Sequence, residues 1–188
     1  MVEESALLCS DRNGVPTIAK VTGVAVGAGW NLALGCDLVA ATPESTFSQI
    51  FARRGLSVDL GGSWLLPKIF GLQQAKRLVL LAETIDAGEA QALNLLTWVV
   101  PATEIDDFVS DIAGRLAAGP TIALAQSKAL LNEGGFRTLR DALAGEARAQ
   151  VVNFGTADSR EVYAAFAKRR EPSFTGRWAL PRSEQKDA

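Results

Sequence analysis

The spacing of apolar residues divides the first part of the chain into strand-like and helix-like segments. The β-branched run TIAKVT, residues 17–22, predicts a strand, and the pattern becomes helical over residues 30–34. The segment CDLVAAT, residues 36–42, is strand-like again. A strand, a turn, a helix and a second strand in this order predict an α/β fold. Residues 43–63 contain glycines and show no clear period, so we expect a loop region over a site.

The middle of the chain alternates between helical and extended patterns. Residues 71–82 are amphipathic with helical spacing and predict a helix. Asp86, followed three residues later by Glu89, has the pattern of a capping box at the start of another helix. We expect Asn94 to end that helix, since asparagine tolerates the left-handed conformation. The apolar run over residues 95–101 predicts a buried strand.

The last third of the chain is predicted to be helical. Residues 105–116 contain one apolar stripe, and a further helix is expected to start at Pro120. Two more helices are predicted over residues 137–153 and 159–169, the second one capped by Asp158. These patterns place a boundary near residue 118, between an α/β core over 1–117 and a helical region over 118–188.

Composition and charge restrict the class of protein. Of the 188 residues, 48% are hydrophobic and 21% are charged, which is ordinary for a globular protein. The net charge of -2 gives no electrostatic reason to expect nucleic acid or an anionic membrane as a partner. No apolar run is long enough to span a bilayer. With only Cys9 and Cys36 and no secretory signal, a reduced, cytoplasmic setting is expected.

The chain contains no histidine. This excludes nucleophile activation by Ser–His–Asp or Cys–His arrangements and the most common zinc and iron sites. If the chain is an enzyme, carboxylates or backbone groups have to perform the chemistry.

The most informative stretch is GVAVGAGWNLALGCD, residues 23–37, which is rich in glycine and alanine just before a helix. A strand, small residues and a helix together present unpaired backbone N–H groups at the positive end of the helix dipole. Small residues over 27–29 would let a phosphate or a developing oxyanion reach those groups. Alternatively, the small residues only allow tight packing between strand and helix.

Residue spacing alone leaves two functional interpretations of this turn. Gly27, Ala28 and Gly29 could form the first half of a dinucleotide-binding fingerprint, although Leu32 occupies the position of its third glycine. The turn could instead form an oxyanion hole for a carbonyl group.

Four motifs, the first of which contains this turn, together resemble the crotonase superfamily, also called the enoyl-CoA hydratase/isomerase family. They are PTIAKVTGVAVGAGWNLALGCDLVAAT, GLSVDLGGSWLLPKIFG, IDAGEAQALNLLTWVVP and FAKRREPSFTG, and they cover about residues 14–178. Within the family, GLSVDLGGSW is most similar to the ring-epoxide phenylacetyl-CoA isomerases and the dienoyl-CoA isomerases.

The resemblance implies a core of ββα units arranged in a spiral, followed by a C-terminal helical trimerisation region. It also implies an acyl-CoA thioester substrate, no separate cofactor, and a homotrimer or hexamer. The thioester oxygen would become enolate-like and be held by two backbone N–H groups, one of them from Ala28 with Gly29 beside it. Family members carry an additional N-terminal segment, with several strands and the other oxyanion donor, so we expect this chain to be an N-terminally truncated core, or else its true start to lie upstream of Met1.

The resemblance also indicates which reaction to expect. Hydratases of the family carry two glutamates where this sequence has Asn31 and Phe51, and neither an amide nor a phenyl ring can act as a general base. Asp59 lies where the isomerase branch places its catalytic carboxylate, and neighbours such as Leu60 and Trp64 are expected to desolvate it. The alternative is that Asp59 serves only the turn VDLGGS.

We predict isomerisation of a double bond in an acyl-CoA, with hydration of an enoyl-CoA or a non-catalytic acyl-CoA-binding subunit as alternatives. Catalysis is assigned to Asp59 and to the backbone of Ala28 and Gly29. Five side chains are expected to contact the substrate: Val26, Trp30, Phe51, Trp64 and Lys168. For Trp30 and Trp64, packing in the core is an equal alternative to substrate contact. For Lys168, the equal alternative is a solvated position at the end of a helix.

Overall fold

A computed structural model describes residues 14–179 of the chain. By their internal packing, these residues form two units, one over 17–113 and the other over 114–179 together with 14–16. Cys9 lies outside the described residues. The strands are β1 (Ile18–Val21), β2 (Val24–Val26), β3 (Leu38–Ala41), β4 (Thr46–Ser48), β5 (Thr84–Asp86) and β6 (Trp98–Val99). The α-helices are α1 (Ala28–Leu34), α2 (Gly62–Phe70), α3 (Leu72–Leu81), α4 (Ala87–Ala92), α5 (Ile105–Ala117), α6 (Thr121–Gly134), α7 (Leu139–Phe154) and α8 (Ala157–Ala167), and a 3-10 helix covers Ile50–Arg54.

The strands form two small sheets, which confirms the α/β class predicted from the sequence. In the first sheet the order is β1-β3-β6, and both pairs are parallel. In the second sheet β2 pairs with β4 in parallel, and β4 pairs with β5 in antiparallel orientation. Helix α1 connects β2 of one sheet to β3 of the other, so its ends are fixed by both.

The core of the first unit lies between these sheets and helices α1 to α4. Trp30 and Phe47 are fully buried at its centre, with ring centroids 5.4 Å apart. Leu66 of α2 and Leu78 of α3 are also fully buried in this cluster, so both helices have one apolar face on the core. This packing fixes the loop between the 3-10 helix and α2.

The region over residues 43–63 is more ordered than expected. It contains β4, the 3-10 helix and the first residues of α2, so the prediction of a continuous loop is wrong. Strand β4 is too short to show a period, and its conformation depends on pairing with β2 and β5. The predicted strand over 95–101 is reduced to β6, because only Trp98 and Val99 pair with β3.

Two capping predictions have different outcomes. Asp86 caps α4, where its Oδ1 accepts the N–H of Glu89 at 2.8 Å, and Asn94 follows that helix with a φ of 60°. The cap of α8 is Thr156, not Asp158, because the Thr156 side chain accepts the N–H of Ser159.

The buried carboxylate of Asp158 has a different function in the second unit. It accepts the backbone N–H groups of Thr175 and Gly176, at 2.7 and 3.0 Å, and so holds the segment after α8. A sequence pattern cannot distinguish a helix cap from such an anchor, because the acceptor is the same carboxylate. Within residues 14–179, none of the helices is long and apolar enough to cross a membrane.

Candidate active site

The turn between β2 and α1 depends on the backbone of Gly27. Its φ of 54° and ψ of -125° lie in a region that side chains with a Cβ rarely adopt. Its N–H donates to the carbonyl of Ser48 at 2.9 Å, which continues the pairing of β2 with β4. The chain therefore reverses direction at Gly27 and enters α1 at a fixed angle.

The first N–H groups of α1 have no acceptor within the helix, as at any helix start. Among the described residues, neither the N–H of Ala28 nor that of Gly29 donates a hydrogen bond. A Cβ built on Gly29 would meet nothing within 4 Å, and Gly29 is exposed. Tight packing among residues 14–179 therefore does not explain the small residue at 29.

A second tight turn brings Asp59 to α1. The Asp59 carbonyl accepts the N–H of Gly62 at 2.9 Å, and the two residues between have φ values of 44° for Leu60 and 76° for Gly61. Two successive positive φ values are typical of a type I′ turn. Leucine rarely adopts such a φ, so the turn is strained at Leu60 and has to be held by its surroundings.

Asn31, which lies on α1 one turn after Ala28, holds this turn in place. Its Nδ2 donates to the Asp59 carbonyl at 2.9 Å, and its Oδ1 accepts from Nε2 of Gln49 at 2.8 Å. Both amide side chains are fully buried. A Cβ on Gly62 would lie 2.5 Å from Nδ2 of Asn31, so the absence of a side chain at Gly62 is what allows this contact.

The carboxylate of Asp59 is exposed, and no residue within 14–179 forms a hydrogen bond or an ion pair with it. The expected desolvation by Leu60 and Trp64 is therefore wrong for the described part of the chain. The turn uses the backbone carbonyl of Asp59 and not its side chain, although an aspartate that serves a turn ordinarily accepts a backbone N–H with its carboxylate. The side chain thus has no structural function among these residues.

The residues expected to contact substrate occupy different environments. Val26, at the end of β2, is half-buried, and the buried ring of Phe51 packs beside the Gly27 turn, 3.4 Å from the position of a Cβ there. Trp30 has no exposed surface and belongs to the core cluster. For Trp30 the core alternative is correct, because a residue at this place on α1 points between the sheets.

Trp64 lies on the first turn of α2 and is 50% exposed. The Nζ of Lys68 lies 3.5 Å from the centroid of one ring of Trp64, a cation–π contact. Partial desolvation lowers the pKa of the Lys68 ammonium below its ordinary value. Trp64 thus presents an apolar surface with a cation beside it, five residues after Asp59.

Lys168 belongs to the second unit, where it is exposed and immediately follows α8. Its neighbour Arg170 pairs with Glu161, which also accepts the N–H of Ser173. These two interactions, with the Arg170 hydrogen bond the stronger, lower the pKa of Glu161 to about 2. Of the basic residues after α8, Arg170 therefore has a structural partner.

No motif in the sequence marks Gln49 as part of the site. The only signal in the sequence is a long polar side chain between the buried strand β4 and the buried Phe51. Among residues 14–179, no group of three or more His, Cys, Asp or Glu side chains could hold a metal ion.

Comparison with known proteins places this geometry in a family. Residues 7–177 match the family model for enoyl-CoA hydratase/isomerase. The chain is 41% identical over 163 residues to the "Probable enoyl-CoA hydratase" of Rhodobacter capsulatus, covering 87% of this chain and 63% of that protein. It is 38% identical over 162 residues to the 1,2-epoxyphenylacetyl-CoA isomerase of Escherichia coli, covering 86% of this chain and 62% of that protein.

Solved structures give the same result for the fold. The enoyl-CoA hydratase/isomerase of Cupriavidus metallidurans superposes with a TM-score of 0.83 at 34% identity, over 96% of this chain and 66% of that one. The chain thus spans somewhat less than two thirds of the length of the curated relatives named above. From the family model, the relatives and the shared fold, we conclude that the chain belongs to the enoyl-CoA hydratase/isomerase, or crotonase, family.

Proposed function

We propose that the protein moves a double bond within an acyl-CoA thioester, with Asp59 as the acid and base. The observation that supports this most directly is the exposed carboxylate of Asp59, which has no partner among the described residues although its backbone is tied to α1. A carboxylate held in position but left without a partner is suited to proton transfer.

In the proposed reaction, the thioester oxygen accepts a hydrogen bond from the N–H of Ala28, with Gly29 beside it at the start of α1, and a second one from the oxyanion donor that family members carry in their N-terminal segment. The Asp59 carboxylate removes a proton from a carbon next to the thioester or its double bond. The electron pair moves into the thioester, whose oxygen becomes an enolate stabilised by the amides. The same proton returns to a different carbon, so the double bond moves, Asp59 is regenerated, and no redox partner or separate cofactor is consumed.

The side chains at Asn31 and Phe51 favour isomerisation over hydration. Hydration needs a group that accepts a proton from water, and an amide does not do this at neutral pH. Both polar atoms of Asn31 are already engaged, with Asp59 and Gln49, in a fully buried position. The phenyl ring of Phe51 lies against the Gly27 turn and has no group that could accept a proton from water.

Hydration of a 2-enoyl-CoA is the second candidate, because the name of one relative at 41% identity refers to a hydratase. In that case Asp59 would activate water instead of relaying a proton between carbons. Measuring hydration of crotonyl-CoA beside isomerisation of a 3-enoyl-CoA separates the two candidates. If the protein hydrates crotonyl-CoA faster than it isomerises a 3-enoyl-CoA, the proposed isomerase function is rejected.

We also propose that the protein assembles as a homotrimer or a dimer of trimers. Helix α6 has no buried residue, and the second unit exposes several large apolar side chains, a pattern that marks an interaction surface. They are Leu131, Phe136, Leu139, Leu143, Val151, Phe154, Tyr163, Phe166 and Trp178. Light scattering after gel filtration tests this assembly, and a monomer at micromolar concentration would contradict it.

The test of the catalytic proposal is the substitution D59N. We expect turnover of a 3-enoyl-CoA to fall at least a hundredfold, the lower end of what a positioned acid or base contributes. Because the amide keeps the shape of the side chain, KM and binding of a non-reactive acyl-CoA analogue should not change. D107N, at an exposed aspartate on α5, is the matched control and should keep full turnover.

Unchanged turnover of D59N would refute the function assigned to Asp59. If the wild-type chain binds the analogue, gains thermal stability from it and turns over no enoyl-CoA, the protein is a non-catalytic acyl-CoA-binding subunit.

A further inference from the structure

The hydrogen bonds that link Gln49, Asn31 and Asp59 have a fixed direction. A backbone carbonyl can only accept, so Asn31 has to turn its Nδ2 toward the Asp59 carbonyl, 2.9 Å away. The Oδ1 of Asn31 then faces Gln49, which has to present its own Nε2, at 2.8 Å. The carbonyl of residue 59 thus determines the orientation of two successive side-chain amides.

This chain of hydrogen bonds has little space in which to rearrange. Asn31 and Gln49 have no exposed surface, and the Gly62 backbone fits closely against the Asn31 amide. No other side chain among the described residues holds the Asp59 carbonyl.

Stability alone does not account for Gln49. Its Oε1 is buried and has no partner among residues 14–179, and a buried unsatisfied acceptor typically costs about 1–3 kcal/mol. The anchored turn is also strained, since Leu60 has a φ of 44°. Strain that persists because the surroundings hold it is typical of functional sites.

We infer that Asn31 and Gln49 are positioning residues for Asp59, and that Gln49 acts by fixing the orientation of the Asn31 amide. This inference rests on the proposed isomerisation by Asp59. Neither residue touches the substrate in this scheme. The hydrogen bond from Asn31 keeps the 59–62 turn against α1, the helix whose first residues are Ala28 and Gly29.

The decisive substitution is Q49E, because among the described residues Gln49 forms no hydrogen bond with Asp59 and is linked to it only through Asn31. A carboxylate at this position can only accept while it is ionised, so it attracts Nδ2 of Asn31 and turns Oδ1 toward the Asp59 carbonyl. Two acceptors then face each other and the turn loses its anchor. We expect kcat to fall on the order of tenfold to a hundredfold, with KM unchanged, because a misplacement of about 1 Å has effects of that size.

Two other variants separate polarity from packing. Q49M removes the hydrogen bond without reversing the amide, so its kcat should lie between those of wild type and Q49E. N31D removes the donor to Asp59 directly and should match Q49E. In both Q49E and N31D, lowering the pH should raise kcat relative to the wild-type chain measured at the same pH, because a protonated carboxyl can donate again. The controls Q73E, on the exposed face of α3, and N94D, after α4, should show neither the loss nor the recovery.

The inference is overturned if Q49E and Q49M reduce kcat equally, if the loss appears in KM instead, or if low pH restores nothing. If Q49E does not fold, N31D and Q49M test the inference instead: N31D should lose more kcat than Q49M, and only N31D should recover at low pH. Failure of the proposed function is distinguishable, because D59N would then be as active as the wild-type chain or the wild-type chain would be inactive. In that event, slow exchange of the Asn31 side-chain amide protons by NMR, lost in Q49E, would support the chain of hydrogen bonds, and fast exchange in the wild-type chain would reject it.

Discussion

Substitution of Gly62 by alanine is expected to destabilise the protein although alanine is the better helix former. Gly62 is the first residue of α2, and a Cβ there would lie 2.5 Å from Nδ2 of Asn31 and 2.6 Å from Cγ2 of Val58. Carbon atoms in good contact are about 3.5–4.0 Å apart. The added methyl group therefore overlaps two neighbours by about 1 Å, and one of them is held by hydrogen bonds at both ends.

The free energy of this change has three parts. Overpacking of a buried position typically costs about 1–3 kcal/mol. Displacing the Asn31 amide from the Asp59 carbonyl costs about another 1 kcal/mol. The replacement of glycine by alanine in a helix returns up to about 1 kcal/mol. The free energy of unfolding of G62A should therefore fall by about 1–3 kcal/mol.

Urea unfolding of the full chain, followed by tryptophan fluorescence and circular dichroism, measures this change. The matched control is G114A, inside α5, where a Cβ would meet nothing within 4 Å. That variant should gain up to about 1 kcal/mol, because only the helix propensity changes. If G62A unfolds at the same urea concentration as the wild-type chain or at a higher one, the close packing between Gly62 and Asn31 is wrong.

Two further predictions concern capping and pH. D86A should lower the free energy of unfolding by about 1 kcal/mol, since the N–H of Glu89 loses its acceptor, whereas D86S should keep most of it in the same urea assay. Glu161 has a pKa of about 2 in the folded protein against an ordinary 4.5, so its ionised form stabilises the fold above about pH 4.5, and this contribution is lost as the pH falls toward 2. E161Q should reduce the fall in the free energy of unfolding between about pH 4.5 and pH 2. E146Q, at an exposed glutamate on α7, is the control and should leave this fall unchanged. The same pH dependence in E161Q and the wild-type chain would contradict the pairing of Glu161 with Arg170.

Local patterns in the sequence identified the elements whose formation depends on neighbouring residues. The amphipathic period gave α3 and α5 to within a residue at each end, and Asp86 and Asn94 marked the two ends of α4. These signals are reliable because a helix satisfies its hydrogen bonds within its own segment. The strand β4 was missed, since three residues show no period and pairing is formed with distant partners.

The glycine-rich turn and Asp59 were both identified from the sequence, through their motifs. What the sequence did not show is that they are connected. The link is formed by Asn31, which lies 28 positions before Asp59 and donates to its carbonyl, and by Gln49, which lies 10 positions before Asp59 and donates to Asn31. For Trp30 the sequence left the core and the substrate pocket as equal alternatives, and only the packed structure shows that it lies in the core.

The sequence by itself determined the α/β class, most of the helices, the family and the small residues that leave backbone amides accessible at the start of α1. The fold class and the helices follow from local spacing and residue type, whereas the family follows from the resemblance of four motifs taken together. The tertiary structure decided which polar groups are partnered: it engaged the carbonyl of Asp59, left its carboxylate without a partner among the described residues, and buried Trp30 in the core. The physical reason is that burial and hydrogen bonding are properties of the packed chain, and residues far apart in sequence contribute to them jointly.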